Sequence, residues 1–459
     1  MALPFVLALV ALVYLKPQEF IPLLAGLPLL HLVFVAAVAA VAYEISTGTL
    51  ALRPPPQWRA VTAFALWALF VLLLRNRWSV PRLLAGTGTG VGIFFLAGMG
   101  LGTPSRVRTL GAVLLAFALM LATLGVHQST QDFVCYFHEE DGEWEAPTLD
   151  GHPCEGWRDC EFQSQRWDID WECERPGLFG TSSVAHGRVR YRGSLADPNE
   201  LALVIGIALP FGFALREGPR RKRGRLVGRL LALAGLALAA WCIVETKSRG
   251  GQLVFAAVIG LYFIRRFRIW GAFIGAAATL PVVLLGGREG AEADSSAMER
   301  IEAWYEGINM IREHPLLGVG PGEFVEHHVR TAHNAYVLVA AETGLIGFLL
   351  WSVAIYTTMK IPWSLWWHGD RRLEPSLAPF APALLVSMIG MLIGILFLSF
   401  AYHNVLYIFM GLAGALGLAA QRTMPEFRVK VGWREVLALA LVDGLFLVFI
   451  YVYTRMKVV

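Results

Sequence analysis

The residues best suited to chemistry fall in three short polar stretches set against long apolar runs. One lies within Met298 to Phe348 and carries Arg300, Trp304, Pro315, the turn Gly318-Val319-Gly320-Pro321-Gly322, and His333-Asn334 at the start of the next apolar run. The second is Thr246-Lys247-Ser248-Arg249-Gly250-Gly251, at the junction of two apolar runs. The third is Arg188-Val189-Arg190-Tyr191-Arg192-Gly193, which leads into Asp197-Pro198-Asn199-Glu200. Arginine suits anions, because its fork gives paired charge-assisted hydrogen bonds and keeps its proton. An extended segment points alternate residues the same way, so Arg188, Arg190 and Arg192 make an anion-facing strip. A helix that starts after Gly250 offers free N–H groups to an anion beside Arg249. Histidine, with an ordinary pKa of about 6.5, is largely neutral at pH 7 and can accept a proton.

Each stretch also has a plain structural role open to it. Asp197 is a natural N-cap with Pro198 at the first helical position. Lys247 and Arg249 can snorkel from a chain-reversing turn to an interface. Against this, two basic residues at an outer turn oppose the usual placement of positive charge. A histidine at a helix start is most often structural, and His327-His328 followed by His333 lacks the ordered carboxylates of a metal site.

The elements that position these residues follow from composition. Hydrophobic residues make up 56% of the 459-residue chain and charged residues only 16%, and mean hydropathy is +0.55. Soluble domains hold roughly 45–50% apolar and about 25% charged residues. The chain is therefore expected to be an integral membrane protein. Its apolar runs are near the roughly 20 residues that cross a bilayer as helix, without the short alternation of a barrel. The expected fold is all-α and polytopic, with about 12–13 spans near 2–15, 24–44, 59–75, 83–101, 107–126, 198–215, 226–245, 251–264, 269–286, 335–358, 379–401, 404–421 and 435–453. The first run lacks a small-residue cleavage site and is read as a span, not a signal peptide. Arg53-Pro54-Pro55-Pro56 is a stiff connector.

Lys and Arg set the orientation. Arg216, Arg220, Arg221, Lys222, Arg223 and Arg225 form one cluster, Arg265, Arg266 and Arg268 another, and Lys360, Arg371 and Arg372 a third. Placing these inside leaves two long extracytoplasmic loops. The organisation is then 1–126 N-terminal helices, 127–197 first loop, 198–286 central helices, 287–334 second loop and 335–459 C-terminal helices. Arg75, Arg77, Arg82, Arg455 and Lys457 fall outside in this scheme, so either a span is miscounted or these cations are kept outside for a purpose. A net charge of +4 in short clusters is no nucleic-acid signature. The first loop holds Cys135, Cys154, Cys160 and Cys173, with Cys242 alone in a span. Four cysteines in a polar loop point to two disulfides in one of three pairings, and zinc is disfavoured by the lack of a close pair. The same loop is rich in Asp, Glu and Trp, including Trp144, Trp157, Trp167 and Trp171. That mixture suits sugar contacts, or simply a solvated, stapled cap.

In series, these residues resemble the bacterial O-antigen ligase and polysaccharide polymerase superfamily. The resemblance rests on Asp197-Pro198-Asn199-Glu200-Leu201-Ala202, Ser248-Arg249-Gly250-Gly251, Arg300, Trp304, His314-Pro315-Leu316-Leu317-Gly318-Val319-Gly320-Pro321-Gly322, His333-Asn334-Ala335-Tyr336 and Glu342-Thr343-Gly344-Leu345-Ile346-Gly347. It covers roughly residues 190 to 420. It implies a GT-C-like helical glycosyltransferase of the inner membrane with its site facing the periplasm. The donor would be a glycan on undecaprenyl diphosphate, and the acceptor another glycan or lipid A core sugar, with no metal, cofactor or nucleotide sugar. By this resemblance Arg249 and Arg300 stabilise the leaving diphosphate, helped by Arg190 and Arg192, and His333 is the base. Lys247, Asn199 and Asn334 are expected at the substrate. The Asp197 to Ala202 form looks more like exopolysaccharide polymerases, whereas the cysteine-bearing first loop departs from the family's pattern. A small-anion transporter is the alternative, and would hold ionisable groups near the bilayer midplane. A structural scaffold, the third reading, needs no clustering of these residues at one surface.

Overall fold

The computed structural model describes the chain except residues 1, 20, 25, 139–146, 157, 161–170, 192–194, 218–224, 288–290, 368–372 and 459. Among the described residues nine helices are long and apolar enough to cross a membrane. They are α2 (Leu29–Ser46), α3 (Trp58–Arg75), α4 (Arg77–Gly100), α5 (Pro104–Ser129), α6 (Pro198–Glu217), α7 (Leu226–Glu245), α8 (Arg249–Phe267), α11 (Ala335–Trp367) and α14 (Trp433–Val458). Four shorter apolar helices join them, α1 (Ala2–Leu15), α9 (Ile269–Leu285), α12 (Phe380–Gly394) and α13 (Asn404–Ala420). A polar helix, α10 (Ala291–Glu313), precedes α11. The protein is a multi-pass, helical membrane protein, and each of the thirteen stretches read as spans overlaps one of these apolar helices.

Boundaries moved where local chemistry overrode hydropathy. The second span starts at Leu29 rather than 24, because Pro22–Leu24 forms a separate turn and Pro28 caps the helix. Helix α11 runs past 358 to Trp367, and within it the Thr357 and Thr358 hydroxyls are satisfied by the Val353 and Ala354 carbonyls of the preceding turn. Helix α12 stops at Gly394 rather than 401. The chain beyond it is unwound, and there the Ile395 carbonyl accepts from Ala335 N–H.

The helix ends alternate between two faces of the bundle. At one face Tyr191 donates to the Leu15 carbonyl, Asn76 to Glu323, Arg175 to the Ser129 carbonyl and Arg188 to the Thr246 carbonyl. At the other, Glu44 binds both Arg106 and the Ala2 backbone N–H, and Arg265 pairs with Glu217. The Asn76 contact puts the Arg75–Arg77 junction on the face that carries the 314–334 loop. Tyr453, near the end of α14, reaches that same face against Trp304. The helix count is therefore consistent, and the arginines at that junction were not misplaced by a missed span.

Glycine and proline set one close crossing. A Cβ on Gly98 or Gly414 would lie 2.4 or 2.6 Å from Pro55, and one on Gly411 would lie 2.7 Å from Ala97. The proline connector is thus packed between α4 and α13, a small-residue interface of the kind that lets membrane helices approach closely.

The first loop adds what hydropathy did not show, a three-stranded antiparallel sheet of order β2-β1-β3. Its strands are β1 (Val134–His138), β2 (Pro147–Pro153) and β3 (Trp171–Glu174). Disulfides join Cys135 to Cys160 and Cys154 to Cys173, while Cys242 is free and buried in α7. Three of the bonded sulfurs, from Cys135, Cys154 and Cys160, lie close together, but each is held in a disulfide.

Candidate functional site

The Ser248-Arg249-Gly250-Gly251 turn shows how local sequence aims a side chain. Ser248 caps α8, its hydroxyl accepting from Gly251 N–H at 2.9 Å while donating to Asn199 Oδ1 at 2.6 Å. Gly251 is needed for the crossing, because a Cβ there would lie 2.3 Å from the Ala202 Cβ of α6. Asn199 is fixed in turn by donating its side-chain N–H to Asp197 Oδ1 at 2.7 Å, and Asp197 also accepts the Asn199 backbone N–H. The starts of α6 and α8 are therefore locked together, with Arg249 as the first residue of its helix.

These starts open onto a cavity of about 320 Å³ lined by Asn199, Lys247, Arg249, Gly250, Arg300 and Trp304, with Leu253, Phe397 and Tyr453 in its apolar wall. The cations come from two separate stretches of chain. Helix N-termini add positive potential, roughly half a charge each at the first turn. No carboxylate lines the cavity among the described residues. Such a chamber suits an anionic head joined to an apolar tail.

His333 does not line this cavity but is linked to two residues that do, Trp304 and Arg300. Trp304 donates its indole N–H to the Ala332 carbonyl at 2.9 Å, tying α10 to the residue before it. Ser399 Oγ accepts the His333 backbone N–H at 3.0 Å and also meets Thr331. The residue sits at φ 46°, a left-handed conformation costly without glycine, and Lys247, which lines the cavity, has φ 49°. Strain at two residues of one site marks positions that the surrounding bonds over-determine. Burial lowers the His333 pKa below its ordinary value, Arg300 and Arg330 push it further down, and Asp197 and Glu299 oppose them. The ring is therefore neutral at pH 7. Asn334 is buried and caps α11, its side-chain oxygen accepting the Tyr336 and Val337 N–H groups at 3.0 and 3.1 Å. It orients the helix start from beneath.

The glycine-rich turn has a different task. Helix α11 is broken at Gly344, with φ 69°. The 315–320 segment pairs with the opened backbone: Leu345 N–H donates to the Pro315 carbonyl, Val319 N–H to Ala341 and Gly320 N–H to Glu342, all within 2.8–2.9 Å. Trp67 of α3 donates to the Thr343 carbonyl at 2.9 Å. Non-helical backbone at this depth is tolerated because protein satisfies it. A Cβ on Gly318 would lie 2.4 Å from the Glu342 carbonyl carbon, and one on Gly344 2.2 Å from the Leu316 oxygen. The two motifs lock together and set the path of the chain that ends at His333.

Of the residues expected at the substrate, Arg249, Arg300, Lys247 and Asn199 meet in one cavity. Arg190 is elsewhere: it donates to the Ser182 carbonyl and hydroxyl at 2.9 Å and lies 3.6 Å from Glu174. Arg188 donates to the Thr246 carbonyl. Arg188 thus fastens the first loop to the bundle and Arg190 ties parts of that loop together, so neither side chain lines the cationic cavity. Arg192 lies outside the described residues, as do Trp144, Trp157 and Trp167. The sequence offered no signal for Phe397 or Tyr453, two aromatics among many, brought in by the unwound chain after α12 and by α14.

Residues 234–352 match the family model described as O-antigen ligase. That segment contains Lys247, Arg249, Arg300, His333 and Asn334. The exopolysaccharide production protein ExoQ of Rhizobium meliloti (strain 1021) is 27% identical over 217 residues, which cover 39% of this chain and 49% of the relative. The chain thus matches about half the length of this relative. Both findings support, for this chain, the O-antigen ligase and polysaccharide polymerase superfamily.

Proposed function

We propose that the chain is a membrane glycosyltransferase of polysaccharide biosynthesis, moving a glycan from undecaprenyl diphosphate to a sugar hydroxyl at the periplasmic face of the bacterial inner membrane, as a polymerase in preference to a ligase. The observation that carries this reading is the meeting of Lys247, Arg249 and Arg300 in one apolar-walled cavity, with a neutral His333 close enough to Arg300 to be influenced by its charge. The acceptor oxygen attacks the anomeric carbon as the bond to the diphosphate breaks. The electron pair passes to the phosphate oxygens, where Arg249 and Arg300 meet the growing charge. His333 takes the hydroxyl proton. A single displacement inverts the anomeric centre. Fixed donors placed where charge develops are each worth about 10²–10³ in rate.

The test uses purified protein in nanodiscs with lipid-linked glycan from the native host, following glycan size and lipid attachment for wild type and His333→Ala. Growth of lipid-linked chains by wild type alone supports polymerase. Transfer to another acceptor supports ligase. An intact diphosphate lipid in every sample would sink the enzyme reading and favour the transporter.

A further inference from the structure

Beside the cationic cavity lies a second opening of about 710 Å³, lined by Phe133, Glu155, Trp171, Glu172, Glu174 and His186, with Lys247 at its border. Lys247 lines both spaces, so they adjoin. Its ammonium donates to the His186 carbonyl at 2.8 Å, which holds the partition in place. The opening is within the range of about 300–1,000 Å³ typical of small-molecule sites. Its floor is the disulfide-stapled sheet: β3 pairs with β1 through Trp171 opposite Phe137 and Glu172 opposite Tyr136. Glu172 and Glu174, two apart on one strand, share a face.

Resting on the glycosyl-transfer reading, we propose that this groove binds the acceptor glycan, an uncharged sugar chain, and presents its end across Lys247 to the cationic cavity. An aromatic face such as that of Trp171 fits the C–H face of a sugar ring, and carboxylates accept hydrogen bonds from sugar hydroxyls. Glu174 is 2% exposed and is held from within the protein by Arg190 at 3.6 Å, so Glu155 and Glu172 are the exposed carboxylates that the opening offers to sugar hydroxyls. Glu155 and Glu172 repel acidic sugars and phosphate. The donor, held by its diphosphate and lipid, has no need of such a surface, whereas an acceptor sugar must be recognised by its hydroxyls and ring faces.

The experiment titrates full-length protein in nanodiscs with repeat units cut from the host's own polysaccharide, using Trp171→Ala, and Glu172→Gln as the variant that preserves volume. Expected are wild-type binding, and a loss of about tenfold or more for both variants. In transfer assays the acceptor KM should rise by a similar factor while kcat and the donor KM hold. Unchanged binding in both variants, absent binding to wild type, or a rise in donor KM instead would overturn the assignment. The binding titration needs no turnover. If binding is lost as expected while no transfer occurs in any sample, the glycan site stands and the glycosyl-transfer reading fails.

Discussion

The two spaces that meet at Lys247 are opposites. One is cationic, walled by helix starts and bundle aromatics; the other is rich in carboxylates and floored by a sheet stapled with disulfides. The difference teaches how a chain can sort two substrates that both carry sugar. On the proposed reading, the cationic side would discriminate by charge and the acidic side by ring and hydroxyl, with a single lysine as the seam. Charge of one sign would then draw a diphosphate in, and charge of the other would keep it from the neighbouring groove.

The strongest way to break this comparison is to remove the base. His333→Ala should reduce transfer by about 10²–10⁴-fold, the range of general-base catalysis, without changing oligosaccharide binding in the groove. Because the folded His333 pKa is lowered, the base stays neutral as pH falls below about 6.5, and the acid limb of kcat/KM should lie below that value. An acid limb above it would remove His333 from the base role. Arg249→Ala and Arg300→Ala come next, each expected to cost about 10²–10³ in kcat, again with groove binding intact. If either variant weakened oligosaccharide binding instead, the division of labour would fail.

Gly318→Ala sharpens the comparison from a third position. The residue has φ 69° and no room for a Cβ, so about 1–3 kcal/mol of strain is expected. It should lower thermal stability and transfer while leaving the stapled sheet untouched, as hydrogen exchange in β1 and β3 would report. The smallest effect concerns Glu174. Burial pushes its carboxyl up to about 7, against the pull of Arg190 and with Glu172 adding to the rise. With a folded pKa above the unfolded one, the fold holds the extra proton, so stability of the sheet is greatest below the unfolded pKa and declines as pH rises through about 7. Glu174→Gln should flatten that decline, worth on the order of 1–2 kcal/mol, measured by exchange at pH 5.5 and 8.

Much of the membrane bundle was legible in the sequence because hydropathy and helix length report directly on the bilayer. Asp197, Ser248 and His333-Asn334 were legible as helix starts because capping is local chemistry. The gathering of Arg249, Arg300, Lys247 and Asn199 into one cavity was not legible from local pattern, since it depends on crossings such as Gly251 against Ala202. Arg190 shows the limit most plainly. Alternation told which residues share a face but not what that face meets, and its partner Glu174 arrives through a sheet whose register no periodicity announced, with Ser182 brought in by the segment that follows it. Disulfide pairing was closed to sequence for the same reason.

The lock between the 315–320 segment and the break in α11 bears on how this chain can diverge. Gly318 faces Glu342 and Gly344 faces Leu316, so the two glycines guard one shared gap from opposite sides. A side chain at either forces the same segments apart, and the second lesion then finds the damage already done. The double variant should therefore cost less than the sum of the two singles. In inheritance the pair would behave as a single character, lost or kept together, with the length of chain between them free to vary only where it leaves this clasp.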